Sequence, residues 1–387
     1  MSQNIVWGID ELPRVLRETA SRRVLLVVDA SFPFLSIKRE IESMAVPYVV
    51  FDGFTPNPLY EDVCKGVERF RAEECDTIVA VGGGSSIDVA KCIKLYSRMD
   101  SERCYLEQEY ADSGVPMVAI PTTAGTGSES TRYAVIYYEG KKQSVTHPSI
   151  VPDYALLEPR VLVTLPAYQK RCTVMDAYCQ AIESWWSVNS TELSRQLSRQ
   201  ALETLQQNID HYVFGTQDAG RDAEVAAEVM RAANLAGQAI NITQTTAPHA
   251  MSYKLTSLYH IPHGHAVAVS LPEVWEYMLQ HLDLCVDPRG SAYLETVFTD
   301  IARTLRRDDP KQCIDDFRNR MRQYDMLPPV PRNRVETWRV ASVQDMRHDV
   351  SLLAKSVNPV RLKNNPVALS EPALRMMYEK IVRVMKN

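Results

Sequence analysis

Continuous runs of valine, isoleucine and leucine, spaced by amphipathic segments, fill the first third of this chain and narrow its fold more than any other feature. VLLVVDA (24–30), PYVVFDG (47–53), TIVAVGGG (77–84) and VPMVAIPTT (115–123) read as strands without polar alternation. SIKREIESMA (36–45), YEDVCKGVERFRAEE (60–74) and SSIDVAKCIKLYSR (85–98) lie between or after them with helical spacing. Strands apolar on both faces belong in a parallel sheet covered by helices on each side, so the pattern predicts a Rossmann-like α/β N-terminal domain.

After about residue 165 the strand signals fade. Segments 173–187, 192–209, 223–240, 248–258, 294–306 and 373–386 all repeat apolar residues at helical spacing. Pro166 suits the first turn of a helix and suits a central strand poorly. A chain of 387 residues also exceeds the usual single core. The expectation is therefore an α/β dinucleotide-binding domain over 1–164 and an all-helical domain, for metal and substrate, over 165–387.

Charge and composition exclude several classes of function. The net charge is −5, with lysines and arginines scattered, so no basic surface awaits nucleic acid. MSQNIVWGIDELPRVL contains acidic residues and no long apolar run, which fits neither a secretory leader nor a membrane span. Eight cysteines without a CxxC pair suggest reduced thiols in a cytoplasmic protein.

Two loops carry candidate cofactor contacts. Gly82-Gly83-Gly84-Ser85-Ser86 follows a strand and opens a helix whose first turn holds Asp88. Such glycines let a backbone approach a pyrophosphate at a helix N-terminus, or they form a plain tight turn. In the second loop, Pro121 to Glu129, Thr122, Thr123, Thr126 and Ser128 offer hydroxyls to a diphosphate and ribose, or cap a helix start. Neither loop is GxGxxG. Asp29, ending the first apolar run, either accepts from ribose hydroxyls and favours NAD over NADP, or caps the next helix.

Four residues in the second half form a candidate metal set. Asp176 and Gln180 stand one helical turn apart, and His249 and His263 bracket PHAMSYKLTSLYHIPHG. A carboxylate with imidazoles suits a divalent ion, while the neutral amide of Gln180 weakens the set for Zn²⁺ and shifts it toward harder ions such as Fe²⁺ or Mn²⁺.

Together, Pro56-Asn57-Pro58, GGGSSIDVAK, PTTAGTGSE, MDAxxQAIES, PHAMSYKLTSLYHIPHG and NPVRLKNNP resemble the iron-containing (group III) alcohol dehydrogenases, of the dehydroquinate-synthase-like fold, over nearly the whole chain. The resemblance implies a nucleotide domain, a helical domain, a metal between them, and NAD or NADP. By motif it assigns Asp176, Gln180, His249 and His263 as ligands. Two positions depart from the family pattern, because Gln180 and Tyr253 stand where histidines are usual.

TTAPHAMSY and IPHGHAVAVSLPE look closest to the branch of hydroxyethylphosphonate dehydrogenases, or phosphonoacetaldehyde reductases. That implies reduction of a small aldehyde, with phosphonoacetaldehyde going to 2-hydroxyethylphosphonate, by a homodimer or larger homo-oligomer without membrane or nucleic-acid partners. The alternatives are a metal-dependent lyase or cyclase, and a silent nucleotide-binding homologue. Tyr253, one turn after His249, and His265 are candidate proton relays, and His260 belongs on the loop surface. Arg132, Arg171, Lys254 and Lys363 are candidate cations for an anionic substrate group.

Overall fold

The computed structural model describes residues 3–327 and 343–386. Its strands are β1 (Asn4–Trp7), β2 (Val24–Val28), β3 (Tyr48–Phe51), β4 (Thr77–Gly82), β5 (Met117–Pro121), β6 (Tyr133–Tyr138), β7 (Lys141–Thr146) and β8 (Tyr154–Leu157). Six of them form one parallel sheet in the order β1-β8-β5-β4-β2-β3. Every residue of β2, β4 and β5 is buried, as their uninterrupted apolar sequences require.

The strand order reverses between β2 and β4. From β2 the chain moves outward to β3, and from β4 it moves the opposite way to β5 and β8. In open α/β sheets such a reversal splays the two following loops apart at the carboxyl edge and leaves a crevice for ligands. Asp29 follows β2 and Gly83 follows β4, so both stand at that edge.

Four strands were invisible to the pattern of long apolar runs. β1 and β8 are only four residues each. β6 and β7 form an antiparallel hairpin whose second strand, KKQSVT, is largely polar. Its two-residue turn, Glu139-Gly140, takes positive φ at both positions (49° and 70°), the conformation that matches the twist of paired strands. The PTTAGTGSE loop leads only into a three-residue 3-10 turn, Ser128–Ser130, preceded by Gly127 in the left-handed region.

The chain divides into two compact units, each drawn from two stretches: 3–166 with 215–241, and 167–214 with 242–386. The helix Ala219–Thr243 therefore lies mostly with the sheet. Its Asn234 Nδ2 donates to Glu129 Oε1 at 3.0 Å and to Ser130 Oγ at 2.7 Å, polar ties that a hydrophobicity pattern does not register.

The second unit is built of helices, principally Ala167–Trp186, Glu192–Phe214, Ala247–Tyr259, His263–Gln280, Ser291–Thr304, Pro310–Gln323, Val343–Ser356 and Glu371–Lys386. Ala167–Trp186 begins directly after Pro166 and is buried along most of its length, ending in Trp185 and Trp186. It packs against Glu192–Phe214 and His263–Gln280, and the latter packs against Ala247–Tyr259. No helix among the described residues is long and apolar enough to cross a membrane.

Candidate active site

Helix packing in the second unit brings Asp176, His249 and His263 together. One potential ligand atom from each lies within 4.8 Å of the others. Asp176 comes from the middle of Ala167–Trp186, His249 from the first turn of Ala247–Tyr259, and His263 from the start of His263–Gln280. Gly264 explains how that last helix gets so near. A Cβ there would meet the Cys172 carbonyl oxygen at 2.1 Å and Asp176 Cβ at 2.9 Å. Only a residue without a side chain lets the helix start abut the turn carrying Asp176.

Both imidazoles are oriented by hydrogen bonds behind them. His249 Nδ1 donates to Glu183 Oε1, and Glu183 Oε2 accepts from the Thr246 N–H and hydroxyl, each at 2.8 Å. Thr246 Oγ1 in turn accepts from Trp186 Nε1 at 2.9 Å. The Ser252 hydroxyl donates to the His249 carbonyl at 2.8 Å, which spends its one proton. His263 Nδ1, 3.3 Å from Ser252 Oγ, must then be the donor in that contact. Both rings therefore present Nε2 toward Asp176, at 3.3 Å for His249 and 4.0 Å for His263.

The buried atoms facing this point lack protein partners. Asp176 Oδ1 and His249 Nε2 are both buried, form no hydrogen bond of good geometry among the described residues, and face each other at 3.3 Å. Unsatisfied buried polar atoms are costly, so two aimed at one place indicate a missing electrophile. Burial alone would lower the His249 pKa, but Glu183 and Asp176 carry it up to about 9. Burial would raise that of Asp176, yet His263, His249 and a hydrogen bond from Gln180 hold it below the usual carboxylate range. A cluster that favours positive charge this strongly, with one carboxylate oxygen and two imidazole nitrogens, fits a divalent metal.

Tyr253 and His265 have different surroundings. The Tyr253 ring is parallel to His263 within 2°, with centroids 5.8 Å apart, and its hydroxyl accepts from Arg361 Nη1 at 3.0 Å. His265 is fully buried, with Nδ1 2.8 Å from the Tyr168 hydroxyl and Nε2 2.7 Å from the Met326 carbonyl. Burial lowers its pKa to about 4. Both nitrogens are thus engaged, one tying the helix His263–Gln280 to Ala167–Trp186 and the other to the segment after Pro310–Gln323. His260 is exposed, as its loop position implies. Burial, with Glu183 and Asp176 nearby, pushes the Cys179 thiol well above its usual pKa, so it is no thiolate nucleophile.

In the first unit the expected cofactor residues split into two groups. Asp29, Gly83, Gly84, Ser85, Thr122, Thr123 and Thr126 gather at the carboxyl ends of β2, β4 and β5. Gly82 pairs with Pro121, and the Thr122 N–H donates to the Gly82 carbonyl at 3.0 Å. Asp29 Oδ2 accepts from Ser86 Oγ at 2.8 Å, while Oδ1 accepts from the Ser31 N–H at 2.8 Å. Asp88 and Ser128 instead hold each other. Asp88 accepts from Ser128 Oγ at 2.6 Å and from the Val135 N–H at 2.9 Å, anchoring the β6–β7 hairpin. Buried Lys91 donates to Ser128 Oγ, Thr131 Oγ1 and the Tyr133 carbonyl.

The expected substrate cations are dispersed. Arg132 donates to the Tyr133 hydroxyl in the first unit, Arg171 pairs with Asp325, and Lys363 is exposed. Lys254 is half-buried on the helix that carries His249. Glu183 and Arg361 were not singled out by sequence reasoning. Glu183 lay within the MDAxxQAIES motif at helical spacing from Asp176, and Arg361 within NPVRLKNNP, so each had a positional signal.

Comparison with known proteins supplies the family. A model described as iron-containing alcohol dehydrogenase matches residues 4–159, and one for the C-terminal part of the Fe-containing alcohol dehydrogenase family matches 171–379. A probable alcohol dehydrogenase of Escherichia coli, EutG, is 35% identical over 225 residues, 57% of this chain and 56% of that protein. The phosphonoacetaldehyde reductase of Streptomyces viridochromogenes is 33% identical over 271 residues, 66% of each. The alignments thus span under two thirds of both relatives. The solved sulfoacetaldehyde reductase of Bifidobacterium kashiwanohense, in complex with NAD+, superposes with a TM-score of 0.83 at 24% identity, covering 98% of this chain and 96% of that one.

Proposed function

The chain belongs to the iron-containing alcohol dehydrogenase family, whose members use NAD and a divalent metal, and from that premise we propose that it reduces a small aldehyde to its primary alcohol with NADH. The observation carrying this reading is the pair of buried, unsatisfied atoms, Asp176 Oδ1 and His249 Nε2, aimed at one point beside His263. These three residues would hold the ion, with the Gln180 amide oxygen offering a fourth, neutral donor. When bound, the metal polarises the carbonyl and NADH supplies the hydride.

The chain's own residues do the rest. Asp29, Gly83, Gly84, Ser85, Thr122, Thr123 and Thr126 form the dinucleotide cradle, and the carboxylate of Asp29 disfavours a 2′-phosphate, supporting NAD over NADP. Asp88 and Ser128 act behind that cradle by anchoring the loop to the hairpin. Glu183 and Ser252 fix the tautomers of His249 and His263. Tyr253 donates its hydroxyl proton to the nascent alkoxide while Arg361 donates to the same phenol oxygen. His265 stays outside the proton path, since both its nitrogens are bonded elsewhere.

The relative at 33% identity supports phosphonoacetaldehyde, giving 2-hydroxyethylphosphonate, as the substrate within this class. A cytoplasmic location, supported by eight free cysteines, and assembly as a homo-oligomer complete the reading. Anaerobically purified protein supplied with Fe²⁺, Mn²⁺ or Zn²⁺ should oxidise NADH in stoichiometry with alcohol formed from short aldehydes. Absence of turnover across an aldehyde panel with every metal would sink the proposal. Product formation without net NADH oxidation would favour a lyase or cyclase.

A further inference from the structure

We propose that Arg361 is the specificity-determining residue of this site, receiving a tetrahedral anion, phosphonate or sulfonate, carried on the carbon next to the aldehyde. The inference rests on the aldehyde-reductase reading and adds the residue that would select an anionic substrate. Its basis is the Arg361–Tyr253–His263 stack. Tyr253 lies face to face with His263, and the Arg361 guanidinium stands 5.2 Å from the Tyr253 ring centroid while donating to its hydroxyl. A cation is thereby fixed beside a ring that stacks on an imidazole whose Nε2 is 4.0 Å from Asp176.

Arg361, like Arg195 on the Tyr293 phenol, has no carboxylate partner among the described residues, and what sets it apart is that its own phenol belongs to a ring stacked on His263. Arg171 pairs with Asp325, Arg289 with Asp287, Arg318 with Glu273 and Glu276, and Arg320 with Asp210. Among the described residues, the acceptor for the Arg361 guanidinium is the neutral phenol of Tyr253. A guanidinium has five N–H donors in a planar fork, so most of that fork faces no protein acceptor described here. The fork matches two oxygens of a tetrahedral anion, and stacking beside an aromatic ring removes rotamer freedom that an exposed lysine such as Lys363 retains.

The arrangement also accounts for tyrosine at 253. An imidazole there would accept from Arg361 only when neutral and with its unprotonated nitrogen turned toward the guanidinium, whereas a phenol oxygen accepts its hydrogen bond and holds the fork in place. The hydroxyl serves as the guanidinium's support and the ring as the spacer from His263.

The test compares metal-loaded wild type, Arg361→Leu and Arg361→Lys on phosphonoacetaldehyde, sulfoacetaldehyde and propionaldehyde, with calorimetric binding of 2-hydroxyethylphosphonate and 2-hydroxyethanesulfonate alongside. The wild type should prefer an anionic aldehyde. In Arg361→Leu the ratio of kcat/KM for anionic over neutral aldehyde should fall by about 10–100-fold, mainly through KM, as loss of a charge-assisted pair predicts. Arg361→Lys should restore part of it, and the two anions identify which acid group is favoured. Equal losses for both kinds of aldehyde, or a wild type without preference, would overturn the assignment while NADH-dependent reduction of propionaldehyde left the reductase reading standing. If no aldehyde reacts, binding of 2-hydroxyethylphosphonate that weakens in Arg361→Leu keeps the anion site and discards the reaction, and unchanged or absent binding discards both.

Discussion

The Glu183 carboxylate binds His249 Nδ1 with one oxygen and the Thr246 N–H and hydroxyl with the other, so one buried side chain both orients an imidazole and fastens the start of the helix that carries it. Glu183 is completely buried, and these contacts satisfy both of its oxygens. A carboxylate behind a metal-binding histidine fixes the tautomer and raises the basicity of the nitrogen in front.

Replacing it tests the metal assignment without relying on catalysis. Glu183→Gln keeps the shape and the contact to Thr246 but removes the charge behind His249. The metal dissociation constant should rise about 10–100-fold, read by chelator competition, with NAD affinity unchanged. An unaltered metal affinity would leave Glu183 as a packing group only.

Gln180 offers the complementary change. Its amide supports Asp176, and its carbonyl is a neutral oxygen donor where an imidazole is usual for the family. Gln180→His should raise Zn²⁺ affinity by at least about tenfold relative to Mn²⁺, because nitrogen donors favour the later metal. Parallel changes for both ions would mean that position 180 does not reach the metal.

How much of this was legible beforehand depended on the kind of signal. β2, β4 and β5 are buried on both faces, so their sequences are continuous apolar runs and announce themselves. β7 gains its place from pairing with β6 rather than from burial, and KKQSVT gives no such sign. Asp176, His249 and His263 were readable because metal ligands have few chemical alternatives and fell within recognisable motifs. The inward ties of Asp88, Ser128 and His265 were not, because a polar residue bonded to the interior has the same sequence signature as one reaching for a ligand. Arg361 escaped for a related reason: its significance lies in bonding the phenol of a ring stacked on His263, which only three-dimensional neighbours reveal.

Glu158 should govern part of the acid sensitivity of the sheet unit. Burial would raise its pKa, but the Arg160 guanidinium and the N–H groups of Ile9 and Arg160 lower it overall. A carboxylate with a depressed folded-state pKa binds fewer protons when folded than when unfolded. Its contribution is fully present above about pH 4.5 and is lost as pH falls through the folded value. Glu158→Gln should therefore cost about 1–3 kcal/mol at pH 7, and the gap to wild type in urea melts should close below pH 4. A gap that persists unchanged to pH 3 would refute the electrostatic origin.

Gly82 and Gly83 separate what the fold needs from what a ligand needs. At Gly82 φ is 156°, and a Cβ would meet Ser86 Oγ at 2.1 Å and Asp29 Oδ2 at 2.6 Å, so Gly82→Ala strains the backbone and breaks the Asp29–Ser86 tie. That variant should lose about 2 kcal/mol or more of stability, together with NAD binding. At Gly83 the nearest atom to an added Cβ is Thr123 Cγ2 at 3.7 Å, an ordinary contact. The protein itself does not require glycine there. If a pyrophosphate lies against this turn, Gly83→Ala should preserve the melting temperature within about 2 °C yet weaken NADH binding at least about tenfold by fluorescence titration, since the methyl takes the space of the ligand. Unchanged NADH affinity in a stable Gly83→Ala protein would show that the glycine turn shapes the strand-to-helix junction alone.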